Sequence, residues 1–263
     1  MIVEILCVGN ELLSGITLNT NAHWIAAQVA KAGGTVERVT VVGDDLDAIS
    51  TAVKESLARK PDILVTTGGL GATYDDMTLE GVARALGRKV SLDKEAVEML
   101  KRSYRRRNLK YRINRVRLKM ATVPEGSVPI ENMAGSAPSV SIDVGTKVFS
   151  VPGVPSEMKA VFASHILPLV KEKVGTFASR EANYMVSGVS EAMIAPALLK
   201  IVKENPAHAV YLKTHPRGYR KTTPRIRVQM VCKGADKREV EKKLERISAQ
   251  MQRAIKNLGG KIE

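Results

Sequence analysis

The stretch Thr66-Thr67-Gly68-Gly69-Leu70-Gly71-Ala72-Thr73-Tyr74-Asp75-Asp76-Met77-Thr78 decides how the first two-thirds of the chain is interpreted. Its first two residues are the last two of Asp62–Thr67, an apolar run that is typical of a buried strand. Three glycines after the strand allow positive φ angles and a close approach of the backbone to a ligand. Free N–H groups in such a loop, and at the start of the helix predicted after it, favour an anion. The stretch therefore predicts an anion-binding loop.

Two acidic residues end this loop, Asp75 and Asp76. Two carboxylates repel a phosphate unless a divalent cation lies between them, and Mg²⁺ is usually held by one or two carboxylates plus substrate phosphates. In the alternative interpretation Asp76 only caps the helix that begins near Met77, and Asp75 is exposed beside it. The residues alone leave both open.

Several other chemistries are excluded by their missing motifs. Tyr74 stands where a dinucleotide fingerprint has its third glycine, and no Gly-Lys-Ser/Thr follows the loop as in a Walker motif. The chain has no G-x-S-x-G elbow, no H-E-x-x-H and no cysteine cluster for zinc.

Strand and helix patterns alternate around this loop. The sequence predicts strands at Ile2–Val8, Thr35–Val42, Asp62–Thr67, Ser139–Val144 and Lys147–Val151, and helices at Asn19–Ala32, Asp45–Lys60, Met77–Leu86, Asp93–Arg107 and Pro155–Lys173. Such alternation predicts an α/β fold of three layers, a mostly parallel sheet with helices on both faces. Ligands bind outside the carboxyl ends of such strands, where the loops Gly9–Gly15, Gly68–Asp76 and Pro152–Glu157 are expected to meet.

The other two loops are less specific than the glycine loop. Glu11 is placed for a ligand, although lone loop carboxylates are usually just solvated. A rigid strand-to-helix turn, with Pro155 in the first turn and Glu157 complementing the helix dipole, is a sufficient account of the third loop.

The pattern changes after Gly175, and we predict two domains, 1–175 and 176–263. The second is a small α+β unit with strands at Asn183–Gly188, Ala209–Thr214 and Arg225–Cys232, and a helix at Ser190–Lys203 that has Pro196 in its first turn or at a kink. A last helix begins at the N-cap Asp236 and ends at Gly259-Gly260.

The net charge of +14 does not choose a partner by itself. Ten of the nineteen residues from Lys101 to Lys119 are Lys or Arg, with Tyr104 and Tyr111 interleaved. A solvated helical face that raises the positive potential near an anionic ligand is favoured over stacking on nucleic acid.

Cys7 and Cys232 are expected to be buried in a reducing compartment. No run spans a membrane and no signal peptide is recognised, so we expect a cytoplasmic protein.

Six segments together resemble the competence/damage-inducible protein A (CinA) family and, more distantly, the molybdopterin-binding domains of molybdenum cofactor biosynthesis. They are VGNELLSG at Val8–Gly15, VGD at Val42–Asp44, TTGGLGATYDDMT at Thr66–Thr78, ATVPEG at Ala121–Gly126, NMAGSAPS at Asn132–Ser139 and VPGVPSEM at Val151–Met158. The match covers Ile2 to about Val174. Compared with the family pattern, Asn10 replaces an acidic residue, Ala72 replaces a proline and Ser139 stands where glycine is frequent.

The resemblance assigns roles to residues of this chain. It implies metal or catalytic carboxylates at Asp75, Asp76 and Glu11, and a ligand bound by Gly68, Gly69, Gly71, Thr73, Thr78, Asn10, Gly135, Ser136, Pro152, Gly153 and Glu157. It also implies that the second domain is KH-like and too short for the nicotinamide mononucleotide deamidase of many bacterial members, so no amidase activity is expected.

Three functions follow in order of preference. The first is Mg²⁺- or Co²⁺-dependent hydrolysis of a nucleotide pyrophosphate bond, in ADP-ribose or a similar compound. The second is a molybdopterin or nucleotide binder without hydrolase activity. The third, a nucleic-acid-binding module, ranks last because no G-x-x-G loop follows Gly175. The expected partners are a small phosphorylated ligand, nucleotide or pterin, and other copies of the chain in a homo-oligomer.

Overall fold

The computed structural model describes residues 1–108, 113–205 and 209–263. Tyr111, from the basic stretch, lies outside the described residues. The chain divides into two units, Met1–Val174 and Gly175–Glu263. Within the described residues, no helix has the length and apolar character needed to cross a membrane.

A six-stranded sheet forms the centre of the first unit, in the order β2-β1-β3-β8-β7-β6. Its strands are β1 (Ile2–Val8), β2 (Thr35–Val42), β3 (Ile63–Thr67), β6 (Val128–Ile130), β7 (Ser139–Asp143) and β8 (Lys147–Val151), while β4 (Val90–Leu92) and β5 (Thr122–Pro124) pair separately. Strands β2, β1, β3 and β8 are parallel. Strand β7 is antiparallel to β8 because only residues 144–146 join them, and a parallel crossover needs about a dozen residues. The predicted α/β fold with a mostly parallel sheet is confirmed.

Helices cover both faces of this sheet. They are α1 (Asn10–Leu13), α2 (Thr20–Lys31), α3 (Leu46–Arg59), α4 (Thr78–Ala85), α5 (Lys94–Arg106), α6 (Arg115–Leu118), α7 (Pro155–Val161) and α8 (Leu167–Val174), with a π turn at Phe162–Ile166 between the last two. Ile5 and Cys7 pack towards α2, α7 and α8, whereas Leu6 and Val8 pack towards α3 and α4. Burial on both faces explains why β1 is apolar almost throughout.

Polar side chains fix where helices α2, α3 and α5 begin. Asn19 accepts a hydrogen bond from the Ala22 amide at 3.1 Å, and Asp45 accepts one from the Ala48 amide at 2.8 Å. Asp93 caps α5 in the same way. Each cap satisfies an amide that has no partner inside the helix. These caps place the helix starts within one residue of the sequence prediction.

The second unit is a four-stranded antiparallel sheet with two helices on one face. Its strands are β9 (Ala178–Ser187), β10 (Val210–Arg220), β11 (Thr223–Gly234) and β12 (Lys261–Ile262), in the order β10-β11-β9-β12, and its helices are α9 (Glu191–Lys203) and α10 (Lys237–Asn257). Asp236 caps α10, accepting from the Glu239 amide at 2.9 Å. Pro196 lies inside α9, beyond its first turn. The likeness to a KH domain stays a prediction.

Candidate functional site

The three loops predicted to meet do so at the carboxyl ends of β1, β3 and β8. The Gly68 amide donates to the Val151 carbonyl at 3.2 Å. A Cβ on Gly153 would lie 3.2 Å from the Gly68 Cα, and a Cβ on Gly68 would collide with the Val8 carbonyl oxygen. Gly68 has φ +104°, a conformation that L side chains rarely adopt. Only glycine therefore allows the three loops to approach each other this closely at the centre of the site.

A pocket opens beside Gly68. Its walls come from all three loops and from the start of α2, and include Glu11, Asn19, Thr20, Asn21, Gly68 and Gly153. Cys7 also lines it, but burial raises the pKa of its thiol. Because the thiolate is the nucleophilic form, Cys7 is not an activated nucleophile.

Asn21 joins two of the loops and was not predicted as a site residue. Its Nδ2 donates to the Gly153 carbonyl at 2.8 Å and to the Thr67 hydroxyl oxygen at 3.0 Å. A carbonyl can only accept, so these bonds fix which end of the amide is nitrogen. Asn21 Oδ1 is buried and has no hydrogen-bond partner among the described residues. The polar Asn19-Thr20-Asn21 start of the helix was the signal in the sequence.

The loop after β1 contains a single helical turn, α1, where an irregular loop was expected. Asn10 and Asp44 bond reciprocally: the Asn10 amide donates to Asp44 Oδ2 at 2.8 Å, and the Asp44 amide donates to Asn10 Oδ1 at 3.3 Å. The predicted ligand residue Asn10 thus ties two loops together. Glu11 folds back against Gly9, where an added Cβ would lie 2.5 Å from its carboxylate oxygens.

Thr78 supports the glycine loop from behind. Its side chain is fully buried, and its hydroxyl donates to the Gly68 carbonyl at 2.7 Å. The Thr78 amide donates to the Gly69 carbonyl at 3.2 Å. Thr78 was predicted to contact the ligand, but its burial makes it a residue that shapes the loop.

Replacing Thr78 by valine should therefore weaken ligand binding indirectly. The lost hydroxyl leaves the Gly68 carbonyl unpaired, which we expect to cost about 1–2 kcal/mol of unfolding free energy in urea titrations. Thr146→Val is a matched control, because Thr146 is equally buried and donates to the Pro61 carbonyl at 2.7 Å, in the turn between β7 and β8. Both variants should lose similar stability. If ADP-ribose is the ligand, as the family resemblance implies, only Thr78→Val should also lower the affinity for it. Equal affinities would contradict the supporting role.

Asp75 and Asp76 form a cluster with Thr73. The Thr73 hydroxyl lies between the two carboxylates, 2.6 Å from Asp76 Oδ2, and the Thr73 amide donates to the same oxygen at 2.8 Å. Helix α4 begins after Met77 with no side-chain cap, so the alternative in which Asp76 caps this helix is wrong. The hydrogen bond from Thr73, with Lys119 nearby, lowers the pKa of Asp75. Asp75 is therefore ionised at neutral pH.

Lys119 is a second residue that the sequence analysis did not single out at the site. Its Nζ donates to the Thr73 carbonyl at 2.5 Å. It also lines a small second pocket with Gly69, Gly71 and Asp76. One end of the basic stretch thus brings a positive charge to the aspartate loop.

The three carboxylates predicted to hold a metal are divided between two places. Glu11 lines the pocket beside Gly68, whereas Asp76 lines the second pocket. Within residues 1–108, 113–205 and 209–263, no three His, Cys, Asp or Glu side chains lie close enough to hold a metal ion together. The sequence could not show this, because the positions of the loops depend on the strand order.

The segment around Gly135 lies against the Glu157 carboxylate, and it lines neither of the two pockets described above. The Asn132 side chain donates to Glu157 at 2.6 Å and accepts from the Gly135 amide at 2.8 Å. Ser136 accepts a hydrogen bond from Arg107. Asn132 is buried and joins the predicted residues Gly135 and Glu157. Pro152 contributes its carbonyl, which accepts from the Thr67 hydroxyl at 2.9 Å.

Comparison with known proteins shows the family to which the chain belongs. A family described as the probable molybdopterin binding domain matches residues 4–172. The chain belongs to this family. It is 40% identical over 261 residues to a protein of Metallosphaera sedula, covering 99% of this chain and 96% of the relative. It is also 40% identical over 259 residues to a protein of Aeropyrum pernix, covering 98% of this chain and 95% of the relative.

A solved structure confirms the resemblance to CinA. The CinA protein of Thermoplasma acidophilum is 39% identical, with a TM-score of 0.58, over 66% of this chain and 99% of that one. The chain is therefore a CinA-like protein with a molybdopterin-binding-like domain.

Proposed function

We propose that the first unit binds a phosphorylated nucleotide at the carboxyl edge of its sheet and hydrolyses its pyrophosphate bond with the help of a divalent cation. ADP-ribose or a similar compound is the proposed substrate. The observation that carries the proposal is the Thr73–Asp75–Asp76 cluster at the end of the glycine loop, with Lys119 bonded to the same loop.

The glycine loop is the proposed phosphate site. The amides of Gly68 and Thr73 are already paired, with Val151 and Asp76. The amides from Gly69 to Ala72 and the Lys119 ammonium therefore stabilise the charge that develops on the phosphate oxygens. Amides and an ammonium in a fixed loop need little reorganisation during the reaction.

The aspartate pair is the proposed metal site. The hydrogen bonds within the described loop use Asp75 Oδ1 and Asp76 Oδ2, one oxygen of each carboxylate. Two carboxylates completed by substrate phosphates are a donor set that suits Mg²⁺. When bound, Mg²⁺ or Co²⁺ supplies charge neutralisation and a more acidic water. Glu11, which lies apart from this pair, is assigned to the pocket instead.

The pocket beside Gly68 is the proposed site for the part of the ligand without phosphate. The Glu11 carboxylate is a hydrogen-bond acceptor in the lining of this pocket. Asn21 also lines the pocket, and its buried Oδ1 has no hydrogen-bond partner among the described residues. Acceptors favour a group that carries O–H or N–H donors, such as a ribose diol or an amino-substituted ring. The phosphate is thereby directed to the loop and the donor-bearing group to the pocket.

The same features also support a second function, binding of a molybdopterin or nucleotide without hydrolysis. Family membership and the acceptor-lined pocket favour it. The division of Glu11 from the aspartates favours it too, because hydrolysis then depends on two carboxylates alone.

The deciding experiment is an assay of ADP-ribose hydrolysis by the purified chain. We expect AMP release with Mg²⁺ or Co²⁺ and none with EDTA. Without a cation between them, the aspartate carboxylates and the substrate phosphates repel each other. AMP and ribose 5-phosphate would be quantified by chromatography. Calorimetric titration with ADP-ribose would be run in parallel. Binding without turnover in any metal would reject the hydrolase and favour the binder, whereas neither binding nor turnover would reject both for this ligand.

A further inference from the structure

The positive charge of the chain is concentrated in the second unit. Residues 175–263 contain 18 Lys and Arg against 8 Asp and Glu, a formal net charge of +10, while the whole chain has +14. Fewer than 90 residues thus carry most of the excess. The function proposed for the first unit does not use this charge.

Helices α9 and α10 cover one face of the second unit's sheet, and among residues 175–205 and 209–263 no helix covers the other. In β11, Ile226, Val228, Met230 and Cys232 are buried against α9 and α10. Side chains alternate along a strand, so Arg225 and Arg227 lie on the opposite face. The strand register places Lys213, opposite Gln229, and Lys261, opposite Ser187, on this face as well. We call it the outer sheet face.

A basic cleft lies at one end of the outer sheet face. It is lined by Arg220, Lys221, Arg225 and Lys261, with hydroxyls from Thr222 and Thr223. Glu263 is the one acidic residue in its lining, and it pairs with Arg225. The Nε atoms of Arg225 and Arg227 are buried and have no hydrogen-bond partner in the described chain. The cleft therefore has more cationic donors than acceptors, which suits phosphate groups.

Aromatic rings lie on the same face. Tyr211, opposite Val231, is 49% exposed. His215, opposite Arg227, bonds to Gln229 at 3.0 Å. Glu181 is the acidic residue near them, and the side chains of Asn183 and Gln229 donate to it at 2.8 Å. Its charge is therefore satisfied locally, beside the rings.

We propose that the outer sheet face of the second unit binds single-stranded nucleic acid. The phosphates lie along Lys213, Arg227 and the basic cleft, and a base stacks on Tyr211. Basic tracks with exposed rings bind single strands, and an open four-stranded sheet is a surface on which unpaired bases stack. A G-x-x-G loop is not needed for this mode. The activity is additional to the hydrolysis proposed for the first unit and independent of it.

The contribution of the basic residues to binding is tested by fluorescence anisotropy, using the full chain and labelled twelve-nucleotide oligo(U) and oligo(dT). The variant Lys213→Ser/Arg220→Ser/Lys261→Ser removes three exposed charges from the face and its cleft. We expect about 30-fold weaker binding at low salt, and a smaller dependence of affinity on salt. The matched control Arg238→Ser/Lys242→Ser/Arg253→Ser removes three exposed charges from α10, on the other face. It should lose less than about threefold.

Stacking is tested separately at Tyr211. Tyr211→Ser should weaken binding about tenfold, and Tyr211→Phe, which keeps the ring, should stay within about twofold of the unchanged chain. A duplex of equal length should bind at least about tenfold more weakly, since its bases are not free to stack. The proposal is overturned if the chain binds neither oligonucleotide, if the two triple variants lose equally, or if Ser and Phe at position 211 behave alike.

Discussion

Replacing Asp75 and Asp76 together by asparagine is expected to lower metal-dependent release of AMP from ADP-ribose by about a thousandfold or more. Asparagine keeps the size of the side chain and one acceptor oxygen, so the bonds from the Thr73 amide and hydroxyl can persist. What is lost is the negative charge that a divalent cation requires. The melting temperature should therefore stay nearly unchanged while turnover disappears.

A matched control separates charge from position. Asp47→Asn/Asp143→Asn removes two exposed carboxylates, which pair with Arg84 and Lys147 on the surface of the same unit. Such pairs contribute about 0–1 kcal/mol, and this variant should retain full activity. If the Asp75/Asp76 variant kept more than a third of its activity, the aspartates would not be the metal site. If the Asp75/Asp76 variant bound ADP-ribose in EDTA as tightly as the unchanged chain, its loss of turnover would be a loss of catalysis and not of substrate binding.

The fold of the first unit could be predicted because its signals are local. Apolar runs bounded by polar residues set strands β1, β2 and β8 at their predicted bounds, and Asp45 and Asp93 fixed the starts of two helices. The antiparallel β7 was not predicted as such. Its direction depends on the three-residue turn before β8, whereas the alternation of strands and helices predicted a mostly parallel sheet without indicating which strand is antiparallel.

The site could be predicted only in part, because hydrogen-bond partners far apart in the sequence leave no local signal. The glycines predicted the loop from neighbouring residues alone. The Asn21 side chain, however, donates to the carbonyl of Gly153, which is 132 residues away in the sequence. Asn132 similarly reaches Glu157. Asp76 stands where the sequence pattern of a helix cap predicts one, yet its carboxylate accepts from the Thr73 amide and α4 has no side-chain cap. Which of two local partners a short side chain takes is decided by the turn between them.

A buried ion pair connects β1 to α3 and is the basis of the second large prediction. Glu4 is 3% exposed, although its neighbours in β1 are apolar. Arg59, in the last turn of α3, donates to both carboxylate oxygens at 2.7 Å. Burial alone would raise the pKa of Glu4, but the bonds from Arg59 outweigh it and lower the pKa below the ordinary 4.5. The carboxylate is thus tolerated in the interior because the guanidinium is there.

Arg59→Met is expected to lower the free energy of unfolding by about 2–3 kcal/mol at pH 7, since it removes both guanidinium hydrogen bonds and the adjacent charge from the buried Glu4 carboxylate. Ser56 and the charge of Arg38 still act on this carboxylate in the variant. The comparison is Arg84→Met, which breaks the exposed pair with Asp47 and should cost less than about 1 kcal/mol. Urea titrations of both variants measure the difference. The double variant Glu4→Leu/Arg59→Met should recover most of the loss, because no unpaired charge remains.

The effect of pH on this pair has a definite sign. Since the pKa of Glu4 is lowered in the folded chain, the pair stabilises the fold above the ordinary pKa of 4.5, and that stability is lost as pH falls through the lowered pKa. In Arg59→Met the buried carboxyl has its pKa raised by burial instead, so acid neutralises it and removes the penalty. The two stability curves should therefore converge as pH falls from 7 towards 4. A constant gap over that range would show that Arg59 stabilises the chain through the packing of its stem and not through its charge.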